Sequence, residues 1–257
     1  MRPDSRAHAS HWHDRLRATQ MEFGLWQVWE AGWATAILRG ASITILVGFV
    51  SMAAGLVIGI ACGLIKWARI FPLSLLVDAY TSLVRGVPEL LIIYLLFFSS
   101  VEFVTKVMTA FGYAGVAESG YAFVIAVIAI GAISGAYSTE VVRGALGAIP
   151  DGHIEAARAL GLSGARIFRR IIAPQMLRIA VPGINNVWQT TIKDTALVSV
   201  VGLQELMRIS FIGANSTRHP FIFYLIAAVV YLAITLVSQA AFDGIERLLR
   251  LRTRKAV

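Results

Sequence analysis

Asp151-Gly-His-Ile-Glu-Ala-Ala-Arg-Ala-Leu-Gly-Leu-Ser-Gly-Ala-Arg-Ile-Phe-Arg-Arg-Ile-Ile-Ala-Pro174 is a polar, arginine-bearing stretch set between apolar runs of membrane length. It reads as a pair of helices. Asp151 is placed to cap the first, Gly161 to end it in a left-handed conformation, Ser163 to cap the second and Pro174 to close it. Such a segment faces water, and its surface has two readings. Arg166, Arg169 and Arg170 fall on one face, where anionic lipid headgroups would hold them. Ala156, Ala157 and Gly161, small residues at fixed spacing, instead let a partner's backbone approach closely, which a lipid-facing helix does not need.

Outward from this stretch the chain is a membrane protein. Its 257 residues are 57% hydrophobic with a mean hydropathy of +0.71, too apolar for a soluble domain and too short for two large ones. Uncharged runs cover residues 40–65, 121–139 and 220–242, of 26, 19 and 23 residues. Each crosses a hydrocarbon core of about 30 Å at about 1.5 Å per residue. Two further spans are interrupted. Residues 90–101 are uncharged but short and follow Arg85-Gly-Val-Pro-Glu89, and residues 179–204 are broken by Lys193-Asp194. Charges and proline at membrane depth are tolerated where they face protein or a wet cavity. The expectation is an all-α fold of five transmembrane helices, the two broken ones lining a path.

Charge gives the orientation. The segments 1–35, 66–73, 99–120, 143–178, 205–219 and 243–257 carry net charges of 0, +2, −1, +4, +1 and +3. Alternate segments thus total +9 against 0, which by the positive-inside rule puts the amino terminus outside and the 151–174 segment and carboxyl terminus in the cytoplasm. The overall +8 is mostly topology, so nucleic acid is not an expected partner. The start has no apolar stretch before a small-residue cleavage site, so no cleavable signal is expected. Cys62 lies alone in the first span and reads as packing. His8, His11 and His13 read as part of a solvated tail rather than a metal site.

Nothing in the sequence supports covalent chemistry. There is no G-x-x-x-x-G-K-[ST] loop, so any ATP and magnesium are expected in a partner subunit. G-x-S-x-G and H-E-x-x-H are also missing, and His153 and His219 fall on opposite sides of the membrane. What remains are polar residues at membrane depth: Arg85, Glu89, Glu140, Gln189, Lys193 and Asp194. Lys193 and Asp194 read either as packing groups near cytoplasmic water or, with the others, as a mid-membrane site for a zwitterionic or cationic solute, with Glu140 taking the cationic side chain. Gly131-Ala-Ile-Ser-Gly-Ala136 is a small-residue surface for close helix packing. A self-sufficient secondary carrier or channel is the alternative reading.

Over about residues 35–246 the sequence resembles the polar amino-acid permeases of bacterial ATP-binding-cassette (ABC) importers. The resemblance is carried by Arg85-Gly-Val-Pro88, Ala136-Tyr-Ser-Thr-Glu-Val-Val-Arg-Gly144, Ile149-Pro-Asp-Gly-His-Ile-Glu-Ala-Ala157, Ala173-Pro-Gln175, Pro182-Gly-Ile-Asn-Asn186 and Ile192-Lys-Asp-Thr-Ala-Leu197, in that order. It implies a type I importer permease fold with an amino-terminal periplasmic segment (1–34), a transmembrane domain (35–246) and a basic cytoplasmic tail (247–257). By the same resemblance Gly152, His153, Glu155, Ala156, Ala157 and Gly161 form the EAA coupling loop that docks on an ATPase subunit. The implied partners are that ATPase, a second and different permease chain, a periplasmic solute-binding protein and the bilayer of the bacterial inner membrane. Arg85-Gly-Val-Pro-Glu-Leu90 looks most like the histidine, arginine and opine systems. The chain departs from the family at His153, where glutamine is usual, and at Ala196, where serine is usual.

Overall fold

The structure is a computed structural model, and it describes residues 32–110 and 118–254. These residues are helical with short connections: α1 (Trp33–Trp67), α2 (Leu73–Gly86), α3 (Glu89–Ala110), α4 (Glu118–Gly147), α5 (Asp151–Ala159), α6 (Gly164–Ile167), α7 (Ala173–Asp194), α8 (Leu206–Thr217) and α9 (Pro220–Arg254). A π-helical turn (Phe168–Ile172) joins α6 to α7, and a 3-10 segment (Thr195–Val201) continues α7. The histidines at 8, 11 and 13 lie outside the described residues.

Among the described residues three helices, α1, α4 and α9, are long and apolar enough to span a membrane unbroken. The other two candidate spans are bent pairs, α2 with α3 at 108° and the 164–201 run with α8 at 51°. Val87 explains the first bend: the residue before a proline is pushed into the extended region, and Val87 sits at φ −107° and ψ 139° before Pro88.

Packing centres on α1 and α4. Gly55, Gly59 and Gly63 recur every four residues and so form one stripe on α1. A Cβ on Gly59 would stand 2.4 Å from Ser138 Cβ and 2.9 Å from its carbonyl carbon, so the two backbones approach as only glycine allows. The small residues of α4 are used in the same contact, Gly131 lying against Ser51 and Ala54 and Gly135 against Ile58. Three apolar clusters follow. One joins α1–α4 around Val47, Ile93, Ile130 and Ile133; one joins α1, α8 and α9 around Leu206 and Phe223; the third gathers Val142, Leu146, Ile149, Ala157, Ile167 and Ile172 under α5.

Several local expectations are corrected. Pro174 does not end a helix. It lacks the N–H that would bond back one turn, and the chain winds through the π turn beside it and runs on to Asp194. Lys193-Asp194 is not the break either: it closes α7, and the turn comes after the 3-10 segment at Gly202, whose φ is +92°. The segment 99–120 is not all loop, because α3 extends to Ala110. Asp151 is the first helical residue rather than the cap, a place held by Pro150. Ser163 holds the second cap position without bonding the backbone, its Oγ instead accepting from Arg166 Nε at 3.2 Å.

Candidate functional site

The α5 turn stands out from the bundle as a polar knob on an apolar base. Gly152, His153, Glu155 and Ala156 are exposed, whereas Ala157, 3% exposed, is set into the cluster beneath. Gly161 has φ +75° and the turn closes as a Schellman motif, with Leu162 N–H donating to the Ala157 carbonyl at 3.1 Å and Gly161 N–H to the Arg158 carbonyl at 2.9 Å. Leu160 at the tip is 81% exposed. Beside the knob is a 540 Å³ groove whose walls include Trp67, Glu155, Arg158 and Phe168. His153 reaches back to Gln175, Nδ1 to Oε1 at 3.0 Å, and so ties α5 to the start of α7. A rigid polar turn with an apolar tip beside a groove is a shape for a partner protein.

The polar residues at membrane depth form more than one group. Tyr137 OH donates to Glu89 Oε1 at 3.1 Å while the Arg85 guanidinium stands 5.6 Å from its ring centroid, and Asp194 is close enough for its charge to act on Tyr137 and Glu89. A 490 Å³ cavity whose walls include Arg85, Tyr137, Glu140, Asn186 and Thr190 opens beside them. Glu140 is not free: Lys66 Nζ donates to Oε1 at 2.5 Å and Arg143 Nε to Oε2 at 2.8 Å. Gln189 stands apart in an amide ladder between α7 and α9. It donates to Asn185 at 3.3 Å, Asn185 donates to Gln239 at 3.0 Å, and Gln239 donates to Asp243 at 3.0 Å. Lys193 is exposed.

Two features were missed in the sequence. Lys66, in the 66–73 segment between the first two spans, also pairs with Asp78 Oδ1 at 2.7 Å. Glu205, in the 205–219 segment outside the spans, is 0% exposed. It caps α8 by accepting from Met207 N–H at 2.8 Å and Arg208 N–H at 2.7 Å, and accepts also from Tyr231 OH at 3.0 Å and Thr44 Oγ1 at 3.2 Å. The available signal is its position three residues after Gly202, an acidic residue opening a helix.

Residues 55–251 match the family described as binding-protein-dependent transport system inner membrane component. The chain belongs to that family. This permease is 45% identical over 228 residues to the nopaline transport system permease protein NocQ of Agrobacterium fabrum, covering 88% of this chain and 96% of that one. It is 38% identical over 218 residues to the histidine/lysine/arginine/ornithine transport system permease protein HisQ of Escherichia coli, covering 84% and 94%. Among solved structures, the crystal structure of an amino acid ABC transporter with histidines superposes with a TM-score of 0.72 at 27% identity, over 88% of this chain and 99% of that one. The inward-facing MetNI methionine ABC transporter shares the fold, with a TM-score of 0.69 at 21% identity. The chain is therefore the non-catalytic, membrane-spanning subunit of an ABC importer, with the ATPase on a separate subunit. The family excludes the alternative of a self-sufficient carrier or channel.

Proposed function

We propose that this permease forms, with a second and different permease chain, the inner-membrane path for a basic amino acid or an opine. The support is that its relatives are named for nopaline and for histidine, lysine, arginine and ornithine, solutes that carry both an α-carboxylate and, in most, a cationic side chain. A periplasmic binding protein delivers the solute, and a separate ATPase holding ATP and magnesium grips the knob formed by Gly152, His153, Glu155, Ala156, Ala157 and Gly161. Residues 1–34 lie outside, 35–246 form the transmembrane domain, and the basic 247–257 tail is cytoplasmic.

The observation that carries this reading is the exposed Leu160-Gly161 turn standing over a groove, a lever rigid enough to pass a movement from one protein to another. Movement of α5 is then felt by α7 through His153 and Gln175. Within the path Arg85 faces the solute carboxylate, and Glu89 and Asp194 share its cation. Glu140 opens to solute only when its Lys66 and Arg143 partners part, which gives a path that alternates rather than a standing pore. Lys193 lies at the edge of this path, and Gln189 braces Asn185, which bonds α7 to α9 through Gln239.

The test is uptake of labelled arginine and labelled nopaline into proteoliposomes holding this chain, its partner permease and ATPase, with purified binding protein outside and ATP within. Uptake of either solute that requires ATP and binding protein supports the proposal. Uptake by this chain alone, or complete indifference to both solutes in an active importer, contradicts it.

A further inference from the structure

At the end of α1, on the same side of the bundle as α5, lies a second polar pocket of 430 Å³ whose walls are Lys66, Arg69, Ser74, Asp78 and Arg143. The side is fixed by Leu64, which packs into the cluster that also holds Ala157. The carboxylates here are already answered. Lys66 bonds both Asp78 and Glu140, and Arg143 places its Nε on Glu140. Three cations against two anions leave one surplus positive charge. Arg69 carries it: its side chain has no hydrogen-bond or ion-pair partner among the described residues. It projects from a left-handed backbone, φ 51°, in the corner between α1 and α2. The rim of the corner is apolar. Phe71 is 81% exposed and Leu75, next to Ser74 on α2, 62%, with Trp67 closing α1 before them. Aromatic side chains beside cations at the end of a membrane helix mark the level of the lipid headgroups.

We infer that this corner is a binding site for one anionic phospholipid, its phosphodiester held by Arg69 and Arg143 with the Ser74 hydroxyl as a further donor, and an acyl chain lying over Phe71 and Leu75. A phosphodiester carries one negative charge, which matches the one surplus cation, and the apolar rim suits a lipid rather than a free anion. The inference needs only that α1 spans the membrane, and stands apart from the choice of solute. Because Trp67 also lines the groove beside α5, the lipid sits next to the surface where the ATPase is proposed to dock.

The full-length protein in neutral detergent is titrated with phosphatidylglycerol, phosphatidylcholine or inorganic phosphate, following bound lipid by native mass spectrometry and the thermal midpoint in parallel. Phosphatidylglycerol is expected to bind and raise the midpoint. Arg69→Asn, which suits a left-handed backbone, is expected to weaken that binding about five-fold. Arg69→Lys should restore most of it, and Arg252→Gln in the basic tail should leave it unchanged. Ser74→Ala, which keeps every charge, provides a second weakened variant should Arg69→Asn not fold. Equal phosphatidylglycerol binding by wild type, Arg69→Asn and Ser74→Ala would overturn the inference. So would an equal response to phosphatidylcholine, or an equal midpoint shift with inorganic phosphate.

Discussion

Lys66 Nζ lies 2.5 Å from Glu140 Oε1 and 2.7 Å from Asp78 Oδ1, so a single ammonium at the end of α1 holds carboxylates of both α4 and α2. Lys66 is 11% exposed and Glu140 19%, so water offers Glu140 little in exchange, whereas Asp78, 55% exposed, can be hydrated. Lys66→Met is therefore expected to cost about 1–3 kcal/mol, because it leaves one Glu140 oxygen without its donor while Arg143 keeps the other. The Lys66→Met/Glu140→Gln pair should lose clearly less than the sum of the two single variants. Thermal midpoints of the purified variants measure this, and additive losses would contradict the pairing.

The close approach of α1 and α4 makes Gly59 intolerant. Gly59→Val places side-chain atoms inside Ser138 and is expected to destabilise by about 3 kcal/mol, seen as loss of monodisperse protein on size exclusion. Gly144→Ala, on the same α4 but with open space at its Cβ, is the control and should be neutral. Equal behaviour of the two would mean that the helices are not packed as described.

Glu205 joins three helices through one carboxylate. Glu205→Ala leaves the Met207 and Arg208 amides and the Thr44 and Tyr231 hydroxyls without their acceptor, at about 1–3 kcal/mol for each buried group left unmade. Folded protein is expected to be lost. Glu205→Gln retains one acceptor oxygen and should be recovered at a lower thermal midpoint. A stable Glu205→Ala protein would show that water replaces the carboxylate.

What the sequence made legible follows the physics of each signal. Uncharged runs are unmistakable because membrane burial tolerates few exceptions, so α1, α4 and α9 were found. Gly161 was read correctly because a left-handed turn after a helix has a short list of residues. The burial of Lys66 and Glu205 escapes the sequence because each has a distant partner, Glu140 at 74 residues and Thr44 at 161, and no local pattern announces such a pairing. Pro174 misled for a related reason: a proline ends an isolated helix, but a π turn and packing around Ile172 carry this one through. Glu140 was visible as an intramembrane charge, yet its two bonded partners were not.

The charge asymmetry predicts orientation. In a Cys62→Ala background, Thr217→Cys should react with an impermeant maleimide in intact spheroplasts, and His153→Cys and Arg252→Cys only after lysis. The opposite pattern would invert the path and place the α5 knob away from any cytoplasmic ATPase.

The central claim, that the turn after α5 carries force from a separate ATPase, is tested most directly by pairing solute uptake in cells with co-purification of the ATPase for Gly161→Leu and Glu155→Lys. Among the described residues, nothing beyond its own chain neighbours lies within 4 Å of a Cβ at Gly161, so bulk there meets only a partner, although leucine also strains a backbone at φ +75°. Gly161→Asn, which tolerates that conformation, separates the two effects by keeping the turn. The account predicts normal membrane levels, lost uptake and weakened ATPase retention for Gly161→Leu and Glu155→Lys, with Gly161→Asn close to wild type. Full uptake with full ATPase retention in either disruptive variant would contradict it.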